Sequence, residues 1–184
     1  LASFDIITSM AERSLLMFDI DKTAYKNYLI FPLIEQQSTD GLIEPIYASE
    51  ISSILLSFDN KEIGYEEMIR NVVSKWAEAL KGKSFASIAR HAQNYLKARE
   101  SNFYPFVGQV ISLARNSHSA YFVTAEPQFV ADAVSTMFEA AGSICSEFEI
   151  EGEKFTGKVK SILATRKDKL DAISHLIDFH GKDR

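Results

Sequence analysis

The sequence is poor in the residues that crosslink a chain or interrupt its regular structure. Its single cysteine, Cys145, excludes an intramolecular disulfide and a cysteine-based zinc site, and it favours a reducing compartment. Only 8 glycines and 4 prolines occur among 184 residues, and this scarcity of turn signals predicts long helices. No apolar run approaches the roughly 18 residues of a membrane span, and the first residues lack the pattern of a secretory leader. We therefore expect a cytoplasmic protein that does not enter a membrane.

Positive charge is also in the minority. The chain has 20 basic and 25 acidic residues and a formal net charge of -5, which argues against a general nucleic-acid binder. Apolar residues make up 46% and charged residues 24%, close to the values of folded domains, so intrinsic disorder is excluded. The length fits one domain, or one domain that carries an insertion. The composition leaves the oligomeric state open.

Hydrophobic periodicity divides the chain into three parts. The first contains a possible helix at 3–12 and an unbroken apolar run at 14–18, which is typical of a strand buried on both faces. The second part contains no convincing strand but has four amphipathic helical patterns, at 25–37, 45–58, 65–80 and 84–99. The third part alternates, with helices predicted at 105–114, 127–141 and 166–179, strands at 120–124 and 144–150, and a strand or hairpin arm at 154–159.

Alternation of strands and helices indicates right-handed crossovers and a doubly wound parallel sheet. Four helices of similar length with short connections indicate a small helical bundle. We therefore predict an α/β protein whose core comprises residues 1–23 and 103–184, with a four-helix cap inserted at 24–102.

Two acidic residues, Asp19 and Asp21, follow directly after the first apolar run. In an α/β fold, ligands bind beyond the carboxyl ends of the strands. Two neighbouring like charges are unfavourable unless a divalent metal or a shared proton offsets them, and such a pair could serve as nucleophile and general acid/base. The alternative is helix capping, because aspartate and threonine are frequent where a strand leads into a helix.

A second polar cluster, Thr124-Ala125-Glu126-Pro127, follows the strand predicted at 120–124. A hydroxyl beside free backbone amides at a helix N-terminus can bind a phosphate oxygen, although an ordinary helix cap with proline in the first turn gives the same pattern. Lys167 and Lys169 open the last predicted helix, where they oppose the helix dipole. The alternative for either lysine is a solvated surface position.

Taken in order, these motifs resemble the haloacid dehalogenase-like (HAD) superfamily, and within it the phosphoserine-phosphatase-like branch (subfamily IB), whose helical cap follows the first motif. Asp19-Ile20-Asp21-Lys22-Thr23 matches the superfamily's first motif, DxDxT, after an apolar strand. The stretch 121–127 resembles the second motif, often SASP in this branch. Phe103-Tyr104-Pro105 looks like the return from cap to core, and 151–159 is similar to the stretch before the third-motif lysine. The resemblance covers nearly all of residues 14–180.

The resemblance implies a phosphatase mechanism. Asp19 would attack phosphorus to form an aspartyl phosphate, and Asp21 would protonate the leaving alcohol and then activate water. Thr124, Ala125 and a third-motif lysine would hold the phosphoryl oxygens.

Lys169 is preferred over Lys167 as the third-motif lysine, because it places Ile173 and Leu176 on a core-facing helix stripe. The resemblance further implies Mg²⁺, bound by Asp19, by the backbone carbonyl of Asp21 and by a fourth-motif acid. Its substrate would be a small phosphorylated metabolite.

Two features depart from the pattern of the family. The fourth motif, an acidic pair after a further core strand, is expected some twenty residues beyond the lysine, and the sequence ends before it at Arg184. We therefore expect the later core strands to be missing from this sequence. Glu126 stands where the branch has a small polar residue, and we expect it to point to solvent or to contact a cationic group of the substrate.

The cap side also departs from phosphoserine phosphatases. These enzymes carry an acid nine positions after the nucleophile, and here that position is Tyr28. Their cap arginine aligns near Val72 rather than on Arg70, so phosphoserine is disfavoured. Thr23, Tyr28 and Arg70 are the candidates for contact with the substrate. Tyr25, Tyr28 and Phe31 recur at three-residue spacing and would either line the mouth of the cap or belong to its core.

Three hypotheses about function follow. The first is a magnesium-dependent phosphomonoesterase that works through Asp19. The second is a catalytically incomplete domain of the same fold that serves binding or assembly. A receiver domain of the response-regulator type also uses aspartate, magnesium, threonine and lysine on a parallel sheet, but the helical insertion after the first strand argues against it.

Overall fold

A computed structural model describes residues 14–181 of the chain, with side chains up to residue 177. The helix predicted at 3–12 lies outside the described residues. No helix among the described residues combines the length and the apolar character needed to cross a membrane. The strands are β1 (Ser14–Phe18), β2 (His118–Pro127), β3 (Gly142–Glu151) and β4 (Lys154–Ser161). The α-helices are α1 (Ile30–Thr39), α2 (Pro45–Asp59), α3 (Tyr65–Ala79), α4 (Phe85–Lys97), α5 (Pro105–Ala114), α6 (Gln128–Met137) and α7 (Arg166–Gly181).

The four strands form one sheet in the order β1-β2-β3-β4. The first three strands are parallel, whereas β4 runs antiparallel to β3. The two residues between β3 and β4, Gly152 and Glu153, both have positive φ, which is the geometry of a tight hairpin turn. The segment predicted as a strand or hairpin arm is therefore a hairpin arm. The predicted α/β class with a mostly parallel sheet is confirmed.

All four helices predicted between residues 24 and 102 are present, but the first begins late. The prediction placed its start at residue 25, whereas α1 begins at Ile30. The intervening backbone folds tightly, because the amides of Thr23, Ala24 and Tyr25 all donate to the Ile20 carbonyl. This turn directs the chain from the end of β1 into the helical segment.

The helices of the predicted cap share a hydrophobic core with the sheet. Helix α3 packs against β4, and α4 packs against α6. Trp76 of α3 is fully buried, and its ring lies edge-on to Phe129 of α6 and Phe148 of β3. Its indole N–H donates to the Gln37 side chain of α1 at 2.7 Å. The helices thus pack directly on the elements that carry the candidate site, and the boundaries of the cap at 24 and 102 stay a prediction.

The second strand is longer than its hydrophobic pattern indicates. It was predicted to end at Thr124 with a helix from 127 to 141, but β2 continues through Pro127, and α6 runs only from Gln128 to Met137. Pairing between β2 and β3 shifts register between Val123 and Pro127, which is where the polar cluster lies. The correction moves the start of the helix away from Thr124 and Ala125.

Candidate active site

Parallel pairing brings the first two motifs to the same edge of the sheet. Phe18 of β1 pairs with Phe122 of β2, so Asp19 follows one residue after this pair and Thr124 two residues after it. Carboxyl ends of adjacent parallel strands are the usual place for a ligand site in α/β folds. The Asp19 side chain is 42% exposed there, so an incoming ligand can reach its carboxylate.

Lys169 lies next to Asp19. Its Nζ atom is 3.1 Å from Asp19 Oδ1, and that same oxygen accepts a hydrogen bond from the Ile20 amide. Lys167, the other candidate lysine, is an exposed residue in the first turn of α7. The structure therefore brings Lys169 into contact with Asp19, and its assignment as the third-motif lysine stays a prediction.

The start of α7, which positions Lys169, is fixed by reciprocal hydrogen bonds. The Asp168 amide donates to Thr165 Oγ1 at 3.0 Å, and the Thr165 amide donates to an Asp168 carboxylate oxygen at 2.9 Å. This is the arrangement of a capping box with aspartate in the acidic position. The Thr165 amide, together with Arg70, lowers the pKa of Asp168.

Arg70 links the helical segment to this same turn. Its guanidinium donates to the Asp168 carboxylate at 3.2 Å and also pairs with Glu66 one turn earlier on α3. The sequence suggested Arg70 as a substrate contact. In the structure its guanidinium is engaged by Asp168, beside the candidate phosphate lysine Lys169.

The second motif is buried behind the first. Thr124 and Ala125 are 1% and 8% exposed, and Thr124 Oγ1 accepts a hydrogen bond from the Glu126 amide at 3.2 Å. Because the hydroxyl oxygen is the acceptor in this bond, the hydroxyl hydrogen remains to donate to another group.

Asp21 sits deeper than Asp19 and faces the start of α1. Its Oδ1 atom accepts a hydrogen bond from the Leu29 amide at 2.8 Å. Burial raises the pKa of Asp21 to about 6, and the neighbouring Asp19 adds to the increase, whereas the Leu29 amide and Lys169 act in the opposite direction. A carboxyl group with a pKa close to neutrality can donate a proton and later accept one at physiological pH.

Glu126 is the largest departure from expectation. It was predicted to point to solvent or to a cationic substrate group, but it is 1% exposed and lies beside Asp21. Neither of its carboxyl oxygens has a hydrogen-bond partner of standard geometry, although the nearby Ile30 amide acts to lower its pKa. Burial, and then the charges of Asp21 and Asp19, raise the pKa of Glu126 well above its ordinary value. A protonated Glu126 can donate to Asp21, which gives each of the two carboxyl groups a hydrogen-bond partner.

Replacing Glu126 by glutamine is expected to change how stability depends on pH. A group whose pKa is higher in the folded state stabilises the fold fully below its unfolded pKa, and this contribution is lost as pH rises through the folded pKa. Wild type should thus lose stability above about pH 4.5, at no more than about 1.4 kcal/mol per pH unit for this group, whereas glutamine keeps a donor toward Asp21 and does not titrate. Urea unfolding in EDTA at pH 5 and pH 8 measures the difference.

The expected result is that the glutamine variant gains stability relative to wild type between pH 5 and pH 8. Asp21 titrates in both proteins, but its pKa depends on the state of Glu126, so the difference in pH slope reports on the pair. The exposed Glu67 on α3 provides the matched control, because Glu67→Gln removes the same charge at the surface. Identical pH slopes for wild type and Glu126→Gln would show that the buried carboxyl does not titrate between these values.

The remaining candidate residues differ in how far they are buried. Thr23 is exposed in the turn after Asp21, and Tyr28 is half-buried with the Lys22 ammonium 4.0 Å from its ring centroid. Tyr25 belongs to the core, because it is 3% exposed and lies edge-on to Phe103. The core alternative thus holds for Tyr25, whereas Tyr28 and Phe31 are half-buried and their place at the mouth of the cap stays a prediction.

Sequence reasoning missed Tyr65. This residue opens α3, and burial together with the nearby charge of Asp21 raises the pKa of its phenol to about 12. The phenol therefore stays a neutral hydrogen-bond donor close to the site. A tyrosine at a helix start carries no functional signal in a single sequence, and only the packing of α3 brings it near Asp21.

The donor chemistry of the site suits Mg²⁺. Carboxylate and carbonyl oxygens are the protein ligands that magnesium prefers, and it commonly keeps several waters beside one or two carboxylates. No group of three or more His, Cys, Asp or Glu side chains among the described residues is arranged to hold a metal ion. Among the described residues, the Asp19 carboxylate and the Asp21 carbonyl would therefore bind a magnesium ion at this edge, and water would supply its other ligands.

Comparison with known proteins identifies the fold. No protein-family model and no curated protein matches the chain. A protein of unknown function from Bordetella pertussis Tohama I aligns with a TM-score of 0.75 and 16% identity, covering 92% of this chain and 76% of that one. A substrate-bound phosphoserine phosphatase aligns with a TM-score of 0.60 and 14% identity, covering 92% and 72%. A HAD family hydrolase from Salmonella enterica serovar Typhi aligns with a TM-score of 0.63 and 10% identity, covering 90% and 51%.

At these identities the comparison establishes the fold. The fold implied by the motifs is confirmed, because solved phosphoserine phosphatases and a phosphoserine phosphohydrolase-like protein share it. The chain therefore has the fold of the HAD hydrolases and is similar in structure to the phosphoserine phosphatases.

Proposed function

We propose that this chain is a magnesium-dependent phosphomonoesterase that forms an aspartyl phosphate on Asp19. The observation that carries the proposal is the contact between the accessible Asp19 carboxylate and Lys169. Asp21, two residues after Asp19, has a pKa of about 6, close to neutral pH. Solved phosphatases share the fold, and one of them is a phospho-aspartyl intermediate analogue of phosphoserine phosphatase. The proposed substrate is a small phosphorylated metabolite.

In the first step, a carboxylate oxygen of Asp19 attacks phosphorus while the bond from phosphorus to the ester oxygen breaks. Asp21 is protonated at this point and transfers its proton to the departing alkoxide, so an alcohol leaves. Asp19 then carries the phosphoryl group. Oδ1 of Asp19 is held by the Ile20 amide and Lys169, which leaves Oδ2 for the attack.

In the second step, water attacks the phosphoryl group and Asp21, now ionised, accepts its proton. The bond between phosphorus and Asp19 breaks, so inorganic phosphate forms and both carboxyl groups return to their starting states. Lys169 and the hydroxyl of Thr124 offset the negative charge on the phosphoryl oxygens in both transition states. When bound, magnesium supplies further positive charge beside Asp19.

Phosphoserine stays disfavoured as the substrate. The position that would bind an amino group is Tyr28, whose ring faces the Lys22 ammonium, and a second cation there would be repelled. Arg70, which could have bound a carboxylate, is paired with Asp168. The cap side of the site thus differs from what an amino acid substrate requires.

The test is metal-dependent turnover of p-nitrophenyl phosphate by the whole chain. Hydrolysis is expected with Mg²⁺, should stop on addition of EDTA, and should return when excess Mg²⁺ is restored. A second readout is thermal stability, which should rise when beryllium fluoride and Mg²⁺ are added together, because the pair mimics the phosphorylated aspartate and binds only the folded state. Absence of both effects would favour the catalytically incomplete domain, which the lack of a three-ligand metal cluster among the described residues would then explain.

A further inference from the structure

Two pairs of aromatic side chains lie on the turn and helices that follow the two aspartates in the chain. We define the aromatic rim as Tyr28, Phe31, Phe58 and Tyr65. Tyr28 directly precedes Leu29, whose amide donates to Asp21, and its ring lies perpendicular to that of Phe31 at 5.8 Å. The rings of Phe58 and Tyr65 form a second edge-to-face pair at 6.1 Å. The rim thus consists of two aromatic pairs contributed by α1, its preceding turn, α2 and α3.

The position of Tyr65 beside the site follows from the contacts of its helix. Arg70, about one and a half turns further along α3, binds Asp168, and the next residue, Lys169, contacts Asp19. This chain of contacts holds the first turns of α3 against the carboxyl edge of the sheet. The raised pKa of Tyr65 agrees, since its causes after burial are the nearby groups Asp21, Tyr28, Asp19 and Glu126.

The rim is partly accessible, as are Tyr104 and Phe106, which pair at the start of α5. Tyr65 is 44% exposed, and Tyr28, Phe31 and Phe58 are half-buried. Trp76, with its aromatic neighbours in α6 and β3, is by contrast sealed in the core. Aromatic surface left open beside a site favours a ligand that covers it, because burial of a ring and edge-to-face contact both contribute to affinity.

The rim also has one polar border. The Lys22 ammonium lies 4.0 Å from the centroid of the Tyr28 ring and covers one of its faces. Lys22 has a positive φ of 57°, so the backbone turn after Asp21 directs this residue to the rim. Lys22 therefore covers part of the rim at Tyr28, and Tyr65 is the rim residue left most exposed.

We propose that the aromatic rim binds the leaving group, and that the preferred substrates are phosphomonoesters whose alcohol carries an aromatic ring. This inference rests on the proposed phosphatase function. The phosphoryl group lies at Asp19 and Lys169, and the ring of the alcohol packs against Tyr65 and the adjoining rim. Tyr65 is then a specificity-determining residue that contacts the part of the substrate remote from phosphorus.

The experiment compares benzyl phosphate with propyl phosphate. Both are esters of primary alcohols, so the comparison reports mainly on the ring. We expect kcat/KM to be about tenfold higher for benzyl phosphate, a factor typical of one well-placed aromatic contact. Tyr65→Ala should reduce this ratio to near one, and Tyr65→Phe should restore most of it. Leu113, 85% exposed at the far end of α5, provides the control, and Leu113→Ala should retain the wild-type ratio.

Failure of the inference is distinguishable from failure of the proposed function. Equal kcat/KM for the two esters, or a ratio that persists in Tyr65→Ala, would overturn the inference and leave the phosphatase intact. If neither ester is hydrolysed, calorimetry with phenylphosphonate and methylphosphonate tests the rim directly. About tenfold tighter binding of phenylphosphonate, lost in Tyr65→Ala, would support the rim, and equal affinities would overturn it.

Discussion

Asp19→Asn is expected to abolish turnover of p-nitrophenyl phosphate, with kcat reduced by about 10⁴-fold or more, as for removal of other enzymatic nucleophiles. An amide oxygen is a poor nucleophile toward phosphorus, and asparagine also loses the ionic contact with Lys169. Steady-state kinetics at saturating Mg²⁺ measures the effect. The substitution preserves side-chain shape and can keep the hydrogen bond from the Ile20 amide, so the fold should be unaffected.

A matched control uses an aspartate far from the sheet edge. Asp59 is exposed at the end of α2, and Asp59→Asn should retain wild-type kinetics. Mass spectrometry of the Asp19→Asn protein should accompany the assay, because deamidation would regenerate aspartate. Turnover above about 1% of wild type in undeamidated protein would contradict the role proposed for Asp19.

Much of the fold could be predicted because its signals are local. The apolar run at 14–18 has no alternation and becomes β1. The expected burial on both faces was wrong, because β1 lies at the edge of the described sheet and only Phe18 of this strand is buried. The stripe that includes Met68, Val72 and Trp76 has helical spacing and forms the buried face of α3. The first two motifs could be placed near each other from chain order alone, since parallel strands align their carboxyl ends.

Element boundaries depended on contacts that no local pattern contains. Residues 25–29 have a helical pattern, but the Ile20 carbonyl and the Asp21 carboxylate capture their neighbouring amides, so α1 begins at Ile30. Thr124 to Pro127 resembles a helix start, yet pairing with β3 continues to Pro127. In both places hydrogen bonds of a turn or a sheet outweigh the helical preference of the residues.

Glu126 shows why the electrostatics of the site could not be predicted. From composition, a glutamate is expected at the surface, and nothing in the sequence indicates that β2 remains buried as far as Pro127. The structure buries this side chain near two other carboxyl groups. Burial is the main cause of its raised pKa, and Asp21 and Asp19, which lie 105 and 107 positions away in sequence, add to it. Arg70 is similar, because its partner Asp168 becomes visible only when α3 and α7 are packed together.

Lys169→Ala is expected to lower kcat by about 10²- to 10³-fold, the usual cost of removing one group that stabilises transition-state charge. The Lys169 ammonium would contact the phosphoryl oxygens, and its Nζ atom already lies 3.1 Å from Asp19 Oδ1. The charge of Lys169 also lowers the pKa of Asp21, so its removal should raise that pKa above about 6. Because the first step needs Asp21 protonated, kcat/KM falls as pH rises through the pKa of Asp21. In the variant this falling limb of the pH profile should move to higher pH.

The shift of this limb separates a catalytic lysine from a merely structural one. Lys167 lies two residues earlier on the exposed surface of α7, and Lys167→Ala removes the same charge from the same helix turn. Exposed charges contribute little at physiological ionic strength, so this control should leave both kcat and the pH profile nearly unchanged. If the two variants behave alike, or if Lys167→Ala causes the larger loss, the lysine that faces the phosphoryl group is not Lys169. A large loss of kcat in Lys169→Ala without movement of the limb would instead mean that Asp21 is not the group that protonates the leaving alcohol.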